Sequence, residues 1–457
     1  MAKDLFFDDT KFFRCSGFKR TYTKPEIAGT FIDGDRNTVL PGGWVLKQPD
    51  GTFRMIYAGT DFNGESIHIL TAISYDGIHF LKDMTAAASN GIEDAATANQ
   101  LMMDFPENSE IVTVFEDPYA APEARYKMLT AIYNPEELRL YNRLLISADT
   151  LHWQLVPTVL WHSRGSEPVG SCCYDSVRKR WFIATRPDWG DRRIAGIYTT
   201  DWETFTPPRL LLAPDSQDEE LVEFYGLSAA DCDGTIIGLL FRYNPGEKNS
   251  LGHKFFGGTI TCELVYSRDG EYWQRTLRQP FAGEDKSMFF PVSILHNEQY
   301  TCIYGTYSEL EHGGAFRAKE LSSGIRIYRS VKDRFLALET TEDSAVLALR
   351  ECVWHGGKLL WNLKAQHATL AIYDHTSEKK LIASHEDCIP FSGDDIAWEP
   401  HWKNRISLDD LTGKLLVFEL KISNGSVWSV SGNYTLLHTT EAFRFQRFGT
   451  IPTRKCF

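Results

Sequence analysis

Four times along the chain an aspartate is followed four residues later by a large aromatic: Asp76 and Phe80, Asp149 and Trp153, Asp201 and Phe205, Asp269 and Trp273. A recurring phrase of this kind reports an architecture of similar units before any single residue reports chemistry. The aspartates are 73, 52 and 68 residues apart, room in each interval for one small antiparallel sheet and a variable loop. Each copy follows an apolar, strand-like run: Ile67 to Ile73, Arg143 to Ile146, Ile194 to Tyr198 and Thr259 to Tyr266. The aspartate then makes a turn, Asp-Gly in two copies, and the aromatic caps the apolar layer between neighbouring sheets. That is the pattern of a β-propeller blade, and it assigns the four repeated aspartates to turns rather than to catalysis.

Counting back from the hairpins gives blades over about 43–80, 111–160, 170–212 and 225–277. A fifth sheet follows from the runs 290–295, 300–304 and 324–328, without the aspartate phrase. From about Arg334 the repeat stops and alternating segments such as Leu359–Leu363, Thr369–Tyr373 and Leu415–Leu420 read as a sandwich. The expectation is an all-β chain: a five-bladed β-propeller over 1–333 followed by a C-terminal β-sandwich over 334–457. A chain of 457 residues exceeds what one core usually holds, which agrees with two domains.

Composition narrows the class of partner. The net charge of −13, with no block of Lys or Arg, argues against nucleic acid and against an anionic membrane. Nine scattered cysteines show neither CxxC nor Cys/His metal spacing, so reduced, mostly buried thiols are expected and no metal or cofactor is implied. No apolar run of membrane-spanning length occurs and no signal-peptide core follows Met1, which places the expected location in the cytoplasm. A neutral ligand such as a sugar meets none of these objections.

Several stretches carry a more specific likeness: Leu5-Phe6-Phe7-Asp8-Asp9 with Ser16-Gly17, Val114-Phe115-Glu116-Asp117-Pro118 with Pro122-Glu123-Ala124-Arg125-Tyr126-Lys127, Glu223-Phe224-Tyr225-Gly226, and Glu386-Asp387-Cys388 with Ser392-Gly393-Asp394. With the Ser-x-Asp-Gly hairpins, they make the chain resemble the five-bladed β-propeller glycoside hydrolases of families 32, 43 and 68, and within them a bacterial family 32-like group. The resemblance covers nearly the whole chain. It implies cleavage of a terminal glycosidic bond in a small oligosaccharide, with fructosyl or arabinosyl furanosides among the candidate substrates. It also implies a sandwich that buttresses the propeller or contributes to a homodimer.

Glycosidic cleavage needs one carboxyl group as proton donor and another as nucleophile or base. In this group of enzymes a third acid orients the sugar, and all three project from the starts of inner strands. Glu223 precedes the inner strand of the fourth blade and is the candidate proton donor, although Phe224 and Tyr225 follow it where the family has Cys-Pro. Asp117 matches the aspartate of the family's Arg-Asp-Pro, with Glu116 replacing the arginine; Asp-Pro is equally an ordinary turn starter. Alignment of Leu40-Pro41-Gly42-Gly43 with the family's Asp-Pro-Asn-Gly places Leu40 at the nucleophile register of the first blade, which leaves that acid as Asp35, Asp33 or absent. Asp35 is preferred because Arg36 and Asn37 follow it, whereas Asp33-Gly34 reads as a turn, and Asp33, Arg36 and Asn37 are substrate-binding candidates.

Trp44, Trp189 and Tyr225 could stack on a sugar face, and Arg186, Asp188, Arg242 and His312 could bind hydroxyls. Leu40 and Glu116 also support a carbohydrate-binding propeller without hydrolysis. A transglycosylase or phosphorylase on the same scaffold is the third reading.

Overall fold

The computed structural model describes residues 2–38, 40–62, 67–85, 99–103, 109–134, 136–164, 171–187, 189–245, 257–315 and 318–450. The fold is all-β and divides into two units, Lys24–Ser330 and a second made of Met1–Thr23 with Val331–Phe457. This differs from the expected division at residue 333 by the first 23 residues, which belong with the C-terminal strands. The reason is a set of backbone ladders. Ala2–Leu5 pairs with Ser429–Gly432, Phe12–Ser16 with Val346–Leu349, and Phe18–Tyr22 with Leu336–Thr340.

In that second unit two long strands, Cys352–Asp374 and Leu415–Leu436, pair along most of their length. Trp354, Trp361, Leu370, Phe418 and Val430 from these strands are fully buried. The helix Thr439–Phe448 follows the second long strand and ends on Gly449 in the left-handed conformation, the usual C-terminal stop.

The unit Lys24–Ser330 is a succession of antiparallel four-stranded meanders. The first is Trp44–Lys47, Phe53–Thr60, Ile67–Ser74 and Leu81–Lys82. The second is Ser109–Glu116, Tyr126–Asn134, Arg139–Ser147 and His152–Arg164. The third is Cys172–Asp175, Arg180–Thr185, Ile194–Thr199 and Arg209–Leu212. The fourth is Glu223–Cys232, Thr235–Asn244, Thr259–Ser267 and Trp273–Ala282. The fifth takes Met288–His296, Tyr300–Ser308 and Ser323–Val331 and borrows its outer strand, Glu26–Phe31, from the start of the unit. That outer strand lacks the aspartate phrase because it lies almost 300 residues upstream of the strand it pairs with.

The first strands of successive meanders lie side by side, and that of the fifth lies beside that of the first. Their apolar faces meet in a common core that includes Trp44, Val114, Tyr126, Tyr225, Tyr243, Met288 and Phe290. Separate layers fill the spaces between sheets, such as Tyr57, Leu70, Phe80, Tyr304 and Ile327 between the first and fifth.

The four repeated hairpins are built alike. Asp76 Oδ1 accepts the N–H groups of Ile78 and His79, both at 2.8 Å. Asp149 takes those of Leu151 and His152, Asp201 those of Glu203 and Thr204, and Asp269 those of Glu271 and Tyr272, all within 2.9 Å. The residue after each aspartate has a positive φ, including Thr150 at 66° and Trp202 at 62°, a conformation that costs a side chain energy unless its surroundings hold it. The carboxylate ladder supplies that hold.

These hydrogen bonds have an electrostatic signature. Burial alone would raise the Asp149 carboxyl, but the N–H and ring of His152 and the N–H of Leu151 outweigh it and bring the group down to about 2. Its folded value thus lies below the ordinary value of about 3.9. The stabilisation is present above the ordinary value and lost as pH falls toward 2. Asp149→Asn should therefore unfold at lower urea than wild type at pH 7, with the difference shrinking on acid titration from about pH 4; an equal gap at both ends of that titration would contradict the hairpin account.

Candidate site at the start of the fourth meander

Among the described residues, the first strands of the five meanders open with Trp44, Ser109, Cys172, Glu223 and Met288. Glu223 is the acid in this set. Its side chain is buried at 7% exposure and its Oε2 accepts a hydrogen bond from Arg192 Nη1 at 2.7 Å. Arg192 sits just ahead of the third strand of the third meander, and its carbonyl accepts the Phe224 N–H at 3.0 Å, locking this loop to the Glu223 strand.

An aromatic box surrounds the pair. Tyr225 lies two residues along from Glu223, and Tyr243 is opposite Glu223 in the ladder. The Arg192 guanidinium carbon is 5.4 Å from the Tyr225 ring and 5.7 Å from that of Tyr243, within cation–π range. Arg186 donates to the Tyr225 carbonyl at 2.9 Å and lies over its ring at 4.6 Å. From the fifth meander, His312 Nε2 approaches the Tyr225 hydroxyl at 3.3 Å, and its ring meets Tyr225 and Tyr243 edge-on at 5.3 and 5.4 Å. Burial pushes the Tyr243 phenol above its usual value, so it remains a neutral hydroxyl.

The cluster thus unites one carboxylate, two guanidinium groups, an imidazole and two phenol rings from three meanders. Such a set can accept and donate hydrogen bonds to hydroxyls, and the carboxylate is the group in it suited to acid–base or nucleophilic chemistry. Sequence reasoning named Arg186, Glu223, Tyr225 and His312, and the structure brings these four together. Tyr243 was named with Arg242 as a strand-end pair; Arg192 was missed. The signal for Arg192 was thin, a pair of arginines closing a Gly-Asp loop.

Other candidates lie elsewhere. Asp117 ends the first strand of the second meander rather than starting it, so it stands at the end opposite to that occupied by Glu223. It is buried against Lys127 Nζ at 2.7 Å and accepts the Tyr119 N–H at 3.1 Å, and Glu116 pairs with Arg125 across the same turn. Asp-Pro here is the turn starter, and the match to Arg-Asp-Pro is corrected accordingly. The acid near the start of that strand is Glu110, half-buried and paired in register with Ala131.

Asp35 is likewise corrected as the first-blade nucleophile. It is exposed and bound at 2.6 Å by Lys82, on the strand of the first meander furthest from the ring of first strands. That contact holds its carboxyl below the usual range. Asp33 is buried beside it, taking Lys82 Nζ at 2.8 Å and the Tyr57 hydroxyl at 2.6 Å. Arg36 pairs with Asp61. Asn37 bridges backbone, accepting from Ser322 N–H at 2.9 Å and donating to the Glu320 carbonyl at 3.0 Å. These four side chains fasten a loop.

Trp44 is corrected too, because its ring is wholly buried in the common core and offers no face for stacking. Arg242 pairs with Glu219 in the preceding loop. Trp189 is exposed, and Asp188 lies outside the described residues. Leu40, at the register where an acid was sought, packs its side chain against the common core.

No family model and no curated protein matches the chain. Among solved structures it is similar to a family 32 β-fructofuranosidase of Bombyx mori, at 10% identity over 93% of this chain and 95% of that one, with a TM-score of 0.43. A glycosyl hydrolase of Bacteroides ovatus is similar at 15% identity over 72% and 96%, TM-score 0.42. An N-acetylgalactosamine deacetylase from F. plautii is similar at 13% identity over 70% and 97%, TM-score 0.44.

The geometry makes Arg192 the residue that keeps a buried carboxylate in place. Removing one partner of such a pair leaves the other charge uncompensated, so Arg192→Met should cost about 3 kcal/mol of stability. In the Arg192→Met/Glu223→Gln double variant much of that loss should be recovered. Urea midpoints of the four proteins measure this cycle, and strictly additive losses would show that the pair is not coupled.

Proposed function

We propose that Lys24–Ser330 is a five-bladed β-propeller with glycosidase activity, each meander being a blade, and that the second unit is its β-sandwich. Glu223 is the carboxyl group on which the chemistry turns. The observation that carries this reading is the position of Glu223: a buried acid opening a first strand, held by Arg192 and walled by Tyr225, Tyr243 and His312. The substrate class is a terminal glycoside of a small oligosaccharide. Arg186 and Arg192 supply hydroxyl donors, and Glu223 transfers the proton or attacks the anomeric carbon.

A second carboxyl group is required for hydrolysis, about 5 Å away in retaining enzymes and roughly 6.5–9.5 Å away in inverting ones. Asp35 is bound by Lys82, and Asp117 follows the end of its strand rather than opening it. Glu110, near the start of the neighbouring second blade's first strand, is the acid we assign for test.

The alternative is a propeller that binds sugar without cleaving it, favoured by Leu40 at the first-blade register. Hydrolysis of a panel of aryl pyranosides and furanosides separates the two. Wild type should release the aryl alcohol, and Glu223→Gln, assayed where circular dichroism shows it folded, should slow release by about 10²–10⁴-fold, the usual reach of acid–base catalysis. Sugar binding without turnover by wild type, with or without added phosphate, would favour the binding reading. Full activity in Glu223→Gln would remove Glu223 from the chemistry.

A further inference from the structure

We infer that the propeller unit carries a second carbohydrate site, at the end of the first strands opposite Glu223, between the first and fifth meanders. A cleft of about 480 Å³ opens there, and Lys47, Phe53, Asn297, Glu298, Gln299 and Tyr304 line it. That volume lies within the range of small-ligand sites, roughly 300–1,000 Å³. Lys47 ends the first strand of the first meander and Phe53 opens its second, while 297–299 form the turn between the first two strands of the fifth.

The cleft is an apolar floor under a polar rim. Phe53 and Tyr304 form the floor, and the Asp76 hairpin runs alongside as Gly77, where a Cβ would lie 3.2 Å from the Tyr304 hydroxyl and 3.5 Å from the Phe53 ring. Asp76 also lines the cleft, but its oxygens are engaged by Ile78, His79 and Ser74, so it has little left for a ligand.

The rim is different. Lys47 and Glu298 are exposed, and among the described residues neither makes an ion pair, whereas Lys82, Lys127 and Lys286 in the same unit each do. Asn297 Oδ1 is used by the N–H groups of Gln299 and Tyr300, which fixes the turn and leaves its Nδ2 for a ligand.

One ammonium, one carboxylate and two carboxamides above an aromatic floor suit a neutral polyhydroxylated molecule. An anion would meet Glu298 and a cation would meet Lys47, whereas sugar hydroxyls can donate to one and accept from the other. The C–H face of a mono- or disaccharide covers the Phe53 ring. The choice of ligand class rests on the carbohydrate reading of the chain; the cleft itself does not.

Cys302 lines the cleft and is half-buried, which allows binding to be read at the site. In the full chain, a saturating panel of glucose, fructose, sucrose and xylobiose should include a sugar that slows alkylation of Cys302 by iodoacetamide. Exposed Cys15 should react unchanged. Lys47→Ala/Glu298→Ala, two surface changes, should weaken that protection by about tenfold or more, and Glu223→Gln should leave it intact. Protection by glycine but by no sugar, protection unaffected by the double variant, or no protection at all would overturn the inference. Turnover of aryl glycosides without Cys302 protection would sink this site alone, and protection without turnover would sink only the glycosidase reading.

Discussion

The ladder between Glu26–Phe31 and Ser323–Val331 is the constraint on which the propeller unit depends. Without it the fifth meander would be three strands with a bare edge, and an unpaired edge invites association with other chains. Closing a loop of this length costs entropy that grows only slowly with length, so one ladder together with the apolar layer beneath it can repay it. Phe31 enters that layer with Tyr57, Tyr304 and Ile325, joining first and last meanders in one packed surface. The ring of first strands then has a defined position for each strand start, and Glu223 receives its neighbours from three meanders.

The site inherits its order from this closure. Arg192 and Arg186 come from the third meander, Tyr225 and Tyr243 from the fourth and His312 from the fifth, and no two of these meanders could assemble the box alone. Charge and aromatic surface are interleaved: each guanidinium that might have been a costly buried cation lies on a phenol ring and bonds an oxygen. Preorganised donors of this kind need little rearrangement to meet hydroxyls.

The regular parts of the fold were legible because they are local. The Ser/Thr-x-Asp phrase writes its own hydrogen bonds within four residues, and all four copies form the same carboxylate ladder. The place of Glu223 at a strand start was legible because an acid before an apolar run marks one. Asp117 misled because Asp-Pro after an apolar run can close a strand as readily as precede one, and Lys127 ten residues on was the missing clue. Asp35 misled because its loop is fastened by Lys82, almost fifty residues away. The outer strand of the fifth meander, the Arg192 contact and the union of residues 1–23 with the C-terminal unit are all long-range pairings, which no local pattern encodes.

The central claim is that substrate meets the protein at Glu223. A crystal structure of Glu223→Gln soaked with an oligosaccharide that wild type cleaves or binds tests it most directly. The account predicts a sugar ring with a hydroxyl or glycosidic oxygen within hydrogen-bond reach, about 2.6–3.2 Å, of the residue 223 side chain and of Arg192. A sugar bound at the opposite end of the strands beside Asp117 and Lys127, with the Arg192 box empty, would contradict it.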